Sequence, residues 1–173
     1  TRSCYDESKR YGEALIRGYR DKHDLDVRIA RIVNTYGTRM RLDDGRVIAN
    51  FMKQALTGEN ITVYGDGEQT RSFCYVSDMI DGLVTLLHSD VDEPVNIGNP
   101  DERSILNLAE VIREVTDSNS EITHEKRPPQ DPEIRRPDIS KARSELEWTP
   151  NVSLRDGLRQ SIPYFESQLQ LSR

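Results

Sequence analysis

The sequence predicts an α/β fold, and three observations carry that prediction. Segments with a helical period of 3.6 alternate with short β-branched runs of period two. No internal repeat or low-complexity tract interrupts the alternation. Clusters of glycine, asparagine and proline fall between the segments, where turns belong.

Taken in order, residues 5–23 read as a helix with a small apolar face of Ala14, Leu15 and Gly18. Residues 27–33 (VRIARIV) alternate apolar and basic side chains, which predicts a strand broken by NTYG at 34–37. Residues 47–56 should be helical and stop near Gly58, which supplies a left-handed C-terminal residue. Short strands are expected at 61–64 and 73–76. A helix follows with Met79, Ile80, Leu83 and Leu87 on one face and Ser77 or Asp78 as N-cap. Next come a strand at 95–97, an amphipathic helix at 105–115 and an exposed strand at 121–124. Residues 126–137 (KRPPQDPEIRRP) carry too much proline for regular structure and read as a loop of the kind that serves ligands. The last helix opens on a capping box from Ser153 to Asp156, with Leu154, Leu158, Ile162, Phe165 and Leu169 facing inward.

The 173 residues bound the answer to about one cooperative domain. With 24 basic and 30 acidic residues interspersed, the net charge of −6 speaks against non-specific nucleic-acid binding. Cys4 and Cys74 lie far apart, which excludes a disulfide framework and fits a reducing, cytoplasmic setting. His23, His88 and His124 show no metal-ligand spacing, so no metal is expected. No run has the length of a membrane span, and TRSCYDESKR is too polar for a secretory signal; an address, if there is one, lies upstream.

Tyr5 and Lys9 stand four apart on the first predicted helix, so the ammonium shares a face with the phenol. A tyrosine is a poor base at neutral pH, and a neighbouring cation favours its phenolate. The spacing alone is weak, because about 0.2 such pairs are expected by chance in this composition.

The surroundings add specificity. CYDESKR is followed by ARIVNTYG, DDGRVIANF, VYGDGEQTRSFCYVSD, NIGNP and RRPDISKARSELEWTP. This series resembles the extended short-chain dehydrogenase/reductase family over essentially the whole chain, and within it the UDP-glucuronate decarboxylase branch. Thr38 stands where that family commonly has proline. The resemblance implies the C-terminal fragment of a Rossmann-type fold: an active-site helix at 3–24, a late Rossmann strand at 27–33, and a small α/β nucleotide-sugar-binding region over about 38–173. The NAD-binding half, with its glycine-rich turn, belongs upstream of this segment.

The same resemblance implies roles. Tyr5 removes the proton of the sugar 4-hydroxyl while hydride leaves for NAD, and Lys9 tunes it and holds the nicotinamide ribose. The 4-keto sugar is then a β-keto acid that loses carbon dioxide, and returned hydride gives UDP-xylose. Asn34 is implied at the sugar diphosphate, and Thr35, Arg41 and Arg46 near the cofactor. Arg71 and Arg135 are implied to grip the diphosphate from two loops, and Thr62 and Tyr64 to lie along the uracil. Read without the family, Asn34 is as readily a turn residue, Arg41 and Arg46 solvated loop cations, and Thr62 and Tyr64 ordinary strand formers. Trp148 and Tyr164 read as packing. The expected partners are a UDP-sugar and a second copy of the chain, met through the helix at 5–23. The fragment is expected to be inactive alone. The alternatives are a nucleotide-sugar 4-epimerase or 4,6-dehydratase, and a non-catalytic sugar-nucleotide-binding or dimerisation module.

Overall fold

A computed structural model describes residues 3–126 and 136–171. Helix α1 spans Ser3–His23, and the strand after it is short, β1 at Ala30–Ile32. Thr35–Tyr36 form β2, so strand resumes within the NTYG segment after a two-residue break at Val33 and Asn34 instead of ending there. Then come α2 (Val47–Thr57), β3 (Ile61–Tyr64), β4 (Thr70–Ser72), β5 (Cys74–Tyr75) and α3 (Val76–Leu87). The remainder is β6 (Val95–Ile97), β7 (Glu102–Ser104), α4 (Ile105–Val115), β8 (Ile122–Glu125), α5 (Ser140–Leu146) and α6 (Leu154–Leu171).

Pairing is mostly parallel, as an α/β chain requires. β1 pairs with β6, β2 with β5 and β3 with β8, all parallel, while β4 and β7 are antiparallel. Helix α3 lies between β1 and β6 in sequence and packs on both, which makes a Rossmann-type crossover. Its neighbour α5 covers β6, and Met79, Leu86, Val95, Ile97, Ile139 and Trp148 form the core there. A second, larger core joins α2, α4 and α6 over β3, centred on Met52, Ile61, Leu108, Ile112, Leu158 and Phe165. Gly58 closes α2 at φ 74°, and the Ser153 hydroxyl both accepts from Asp156 N at 3.1 Å and bonds its carboxylate at 2.6 Å. The expected stop is therefore present, and so is the Ser153 half of the capping box; the Asp156 carboxylate closes it on the Ser153 hydroxyl instead of the Ser153 amide.

Two expected faces are different in the structure. Ala14, Leu15 and Gly18 of α1 are exposed. The face turned toward the rest of the molecule is Glu13, Arg17 and Arg20, which pair with Arg31, Glu93 and Asp92. In α3, Met79 and Leu86 are buried beside Gly82, whereas Ile80 and Leu87 are exposed. The helix must seat Gly82 against Ile97 and the Trp148 ring, where a methyl group would lie 2.7 to 2.8 Å from their atoms, and that contact sets its rotation. Nor do Ser77 or Asp78 cap it: Tyr75 holds the N-cap position with extended backbone and no side-chain bond.

Candidate active site

Tyr5 and Lys9 sit one turn apart near the start of α1, and the Lys9 ammonium lies 5.4 Å from the centre of the Tyr5 ring. The phenol is largely open to solvent, at 63 % exposure. Both residues line a groove of about 710 Å³ between α1 and the β1 strand, with Ser8, Arg31 and Ile32.

Tyr5 also opens onto a second cleft, of about 520 Å³, at the ends of β1 and β6. Its walls include Asp6, Val33, Asn34, Asn96 and Arg136. The carboxyl ends of parallel strands are where α/β sheets bind ligands.

Asn34 is the hinge of the site. Its backbone carbonyl accepts from Cys74 N at 2.9 Å and its side-chain Nδ2 donates to Ser72 O at 3.2 Å. The residue is thus no self-capping turn; it ties the end of β1 to the β4–β5 segment. On its far side lies a small cavity of about 150 Å³, lined by Asn34, Thr35, Arg46, Val47, Ile48 and Arg71 among others. Arg71 is buried on β4, and its Nη1 donates to Thr70 O at 2.6 Å. Arg46 precedes α2 and makes no side-chain cap, and Arg46, Val47 and Ile48 at the start of that helix line the cavity; the first backbone N–H groups of a helix have no intrahelical partner.

The other expected residues fall elsewhere. Thr35 reaches the cavity wall, its hydroxyl donating to Val33 O at 2.9 Å. Arg46 shares that cavity with Arg71 and also pairs with Asp44, its Nε 2.7 Å from Oδ2. Arg41 lies in a separate groove with Lys53 and Tyr164, paired with Asp43 at 3.0 and 3.1 Å, and is not brought to Tyr5. Thr62 is engaged on α2, its hydroxyl and amide bonded to the Gln54 side chain at 3.1 and 3.2 Å. Tyr64 points outward on the same strand face, and neither residue lines the cavity of Arg71. Arg135 lies outside the described residues. Arg136 and the α2 amides were not singled out by sequence; an arginine before a helix that lacks a Ser, Thr, Asp or Asn cap was the available signal.

A nicotinamide dinucleotide can be tested against these residues. Tyr5 and Lys9, side by side on an open groove, suit a ribose and its attached ring. The sequence holds no G-x-G-x-x-G turn for the pyrophosphate, so the fit extends to the nicotinamide end alone. Among the described residues no cluster of His, Cys, Asp or Glu could hold a metal ion, and no helix is long and apolar enough to cross a membrane.

Comparison with known proteins decides the family. The family model for GDP-mannose 4,6-dehydratase matches residues 1–161. The chain belongs to that family, within the extended short-chain dehydrogenases/reductases. Its members are nucleotide-sugar enzymes, and solved relatives include complexes with NAD and NADH. The chain is 51 % identical over 172 residues to UDP-glucuronic acid decarboxylase 3 of Arabidopsis thaliana, covering 99 % of itself and 50 % of that protein. It therefore spans about half the length of the curated relatives it matches. Among solved structures, UDP-glucose 4-epimerase of Thermotoga maritima with UDP-glucose superposes with a TM-score of 0.90 at 28 % identity, over 95 % of this chain and 54 % of that one. UDP-glucuronic acid 4-epimerase of Bacillus cereus with UDP-glucuronic acid and NAD gives 0.82 at 32 % identity, over 91 % and 50 %.

Proposed function

We propose that this chain is the sugar-nucleotide-binding portion of an NAD-dependent UDP-glucuronate decarboxylase. One observation carries the reading: Asn34 is a wall of both the Arg46–Arg71 cavity and the Tyr5 cleft. A ligand with a diphosphate at one end and a sugar at the other spans two such adjoining spaces. Arg71, Arg46 and the α2 amides take the diphosphate, and the sugar ring reaches Tyr5. NAD, when bound, accepts a hydride and returns it. Tyr5 takes the proton of the sugar 4-hydroxyl and Lys9 stabilises the phenolate, so oxidation at C4 makes the sugar a β-keto acid. Its carboxylate leaves as carbon dioxide, the electron pair of the broken bond passes into a C4–C5 enolate, and C5 takes a proton from water. Tyr5 then gives its proton back to the 4-oxygen.

Decarboxylase is preferred to epimerase because the identity to the plant decarboxylase is 51 %, against 28 and 32 % for the two epimerases. The exposed Tyr11, Leu15, Ile16 and Tyr19 on α1 support pairing with a second copy through that helix. A reducing, cytoplasmic setting fits an exposed Cys4 and a buried Cys74. Alone, the segment is inactive on this reading. Titration calorimetry with UDP tests it: the chain should bind UDP, and Arg71→Ala should weaken that binding by roughly ten- to a hundredfold. No binding of UDP by the unaltered chain would sink the proposal.

A further inference from the structure

Helix α1 carries Tyr5 and Lys9, yet it holds to the rest of the molecule by charge instead of apolar packing. Its half-buried positions are Gly12, Glu13, Arg17 and Arg20, and none of its described residues is fully buried. Arg17 pairs with Glu93 and Arg20 with Asp92, both in the segment before β6. The third pair is closed more tightly. Arg31, on β1, donates from Nε and Nη2 to the two oxygens of the Glu13 carboxylate at 2.7 Å each, a fork-to-fork contact. The Arg31 hydrogen bonds hold the Glu13 carboxyl below the usual carboxylate range against the opposing pull of burial.

The place of this pair gives it a second consequence. Tyr5, Lys9, Glu13 and Arg31 line one groove, and Tyr5, Lys9 and Glu13 follow one another at intervals of four on one face of α1. Lys9 is thus one turn from the phenol on one side and one turn from a carboxylate on the other. Helical ion pairs and exposed cation–ring contacts are of similar strength, so a free carboxylate at that spacing competes for the ammonium. Arg17, one turn beyond Glu13, is already engaged by Glu93 and offers that carboxylate no open alternative.

We propose that Arg31 is a positioning residue for proton transfer: by closing both oxygens of Glu13 it keeps that carboxylate from Lys9 and leaves the ammonium to the Tyr5 phenol. The inference rests on the reading that Tyr5 carries the proton and Lys9 stabilises its phenolate. Arg31 acts through Glu13 and Lys9, without touching a reacting atom.

Two substitutions break the same ion pair and should have different consequences. Arg31→Gln leaves a free carboxylate beside Lys9, whereas Glu13→Gln leaves none. Nuclear Overhauser contacts between the Lys9 side chain and the Tyr5 ring protons read the difference on the chain without any ligand. They should persist in Glu13→Gln, weaken by about twofold or more in Arg31→Gln, and return in the Glu13→Gln/Arg31→Gln double variant. Arg31→Lys, which keeps a cation for Glu13, should retain most of the contact. Equal loss in both single variants would make the pair a mere anchor of α1 and overturn the inference, and so would an Arg31→Gln contact as strong as the parent's. On a chain extended to the full length of its relatives, Arg31→Gln should lower kcat by roughly three- to tenfold at unchanged KM, with recovery in the double variant. A double variant no faster than Arg31→Gln also overturns the inference. Since the Lys9–Tyr5 contact is read without ligand, its failure is distinct from failure of the chain to bind UDP, which sinks the proposed function instead.

Discussion

The Asp78 carboxylate, on the first turn of α3, accepts hydrogen bonds from two consecutive backbone amides, Asn151 N at 3.0 Å and Val152 N at 2.8 Å. Asp78 is buried, so this pair of charge-assisted bonds replaces its hydration and pins the approach to α6 onto α3. The core on β1 and β6 and the core under α6 are joined there. Asp78→Ala should therefore lower unfolding free energy by about 2–3 kcal/mol in urea titration, and Asp78→Asn, which keeps one acceptor oxygen, by about 1 kcal/mol.

Gly157 offers a test of packing at the same junction. It lies where a methyl group would sit 2.7 Å from a ring carbon of Tyr75 and overlap the Tyr36 hydroxyl, which donates to Leu154 O at 3.1 Å. Gly157→Ala improves helix propensity and still should destabilise by about 1–3 kcal/mol, because the tyrosine pair must move. A melting temperature equal to or above that of the parent would show that the contact is soft.

What the sequence made legible was local. The capping box at Ser153 and the glycine stop at Gly58 were readable because each is satisfied within a few residues. The rotation of α3 was not. Ile80 and Leu87 fit a helical period as well as Leu86 does, and the choice between faces was made by Trp148, 66 positions beyond Gly82 in the chain. Asp78 likewise looked like a local cap and instead serves amides brought to it by tertiary packing. In the site, the spacing of Tyr5 and Lys9 set their proximity, but the joint use of Asn34 by two cavities depends on strand pairing between β2 and β5. Arg41 was drawn to the site by its family position, and its ion pair with Asp43 holds it in another groove.

Cys74 and Tyr36 predict an alkaline limit. Burial is the main cause that pushes the Cys74 thiol up to about 12, and the same cause raises the Tyr36 phenol. Between the ordinary thiol value near 9 and the folded value, the unfolded chain releases a proton that the folded one keeps. Stability is thus full below about pH 9 and falls as pH rises. Denaturant midpoints between pH 8 and 11 should decline, less so in Cys74→Ala. In the native protein iodoacetamide at pH 8 should modify exposed Cys4 and spare Cys74, and equal labelling of both would contradict the buried assignment.

Cofactor binding should depart from nucleotide-sugar binding. On the proposed reading Tyr5 and Lys9 meet only the nicotinamide end, and this sequence holds no G-x-G-x-x-G pyrophosphate turn, so titration with NAD should show nothing tighter than millimolar. A micromolar dissociation constant would mean that other residues of this chain cradle the pyrophosphate.

Chemistry and binding should separate cleanly at Tyr5 and Arg71. On a chain extended to the full length of its relatives, Tyr5→Phe keeps the ring that lines the cleft and removes the hydroxyl that the proposed reading assigns to proton transfer. Turnover should collapse, by about 10² to 10⁴-fold, while UDP-glucuronate affinity stays within about twofold. Arg71→Ala should do the reverse, because the buried guanidinium lies in the Asn34 cavity and not in the Tyr5 cleft. If Arg71 meets phosphate as proposed, its loss should weaken UDP and UDP-glucuronate equally, and kcat at saturating substrate should change little. Single-turnover rates and equilibrium titrations of the two variants decide the matter: an active Tyr5→Phe enzyme, or an Arg71→Ala enzyme with normal UDP affinity, would show that these roles belong to other residues.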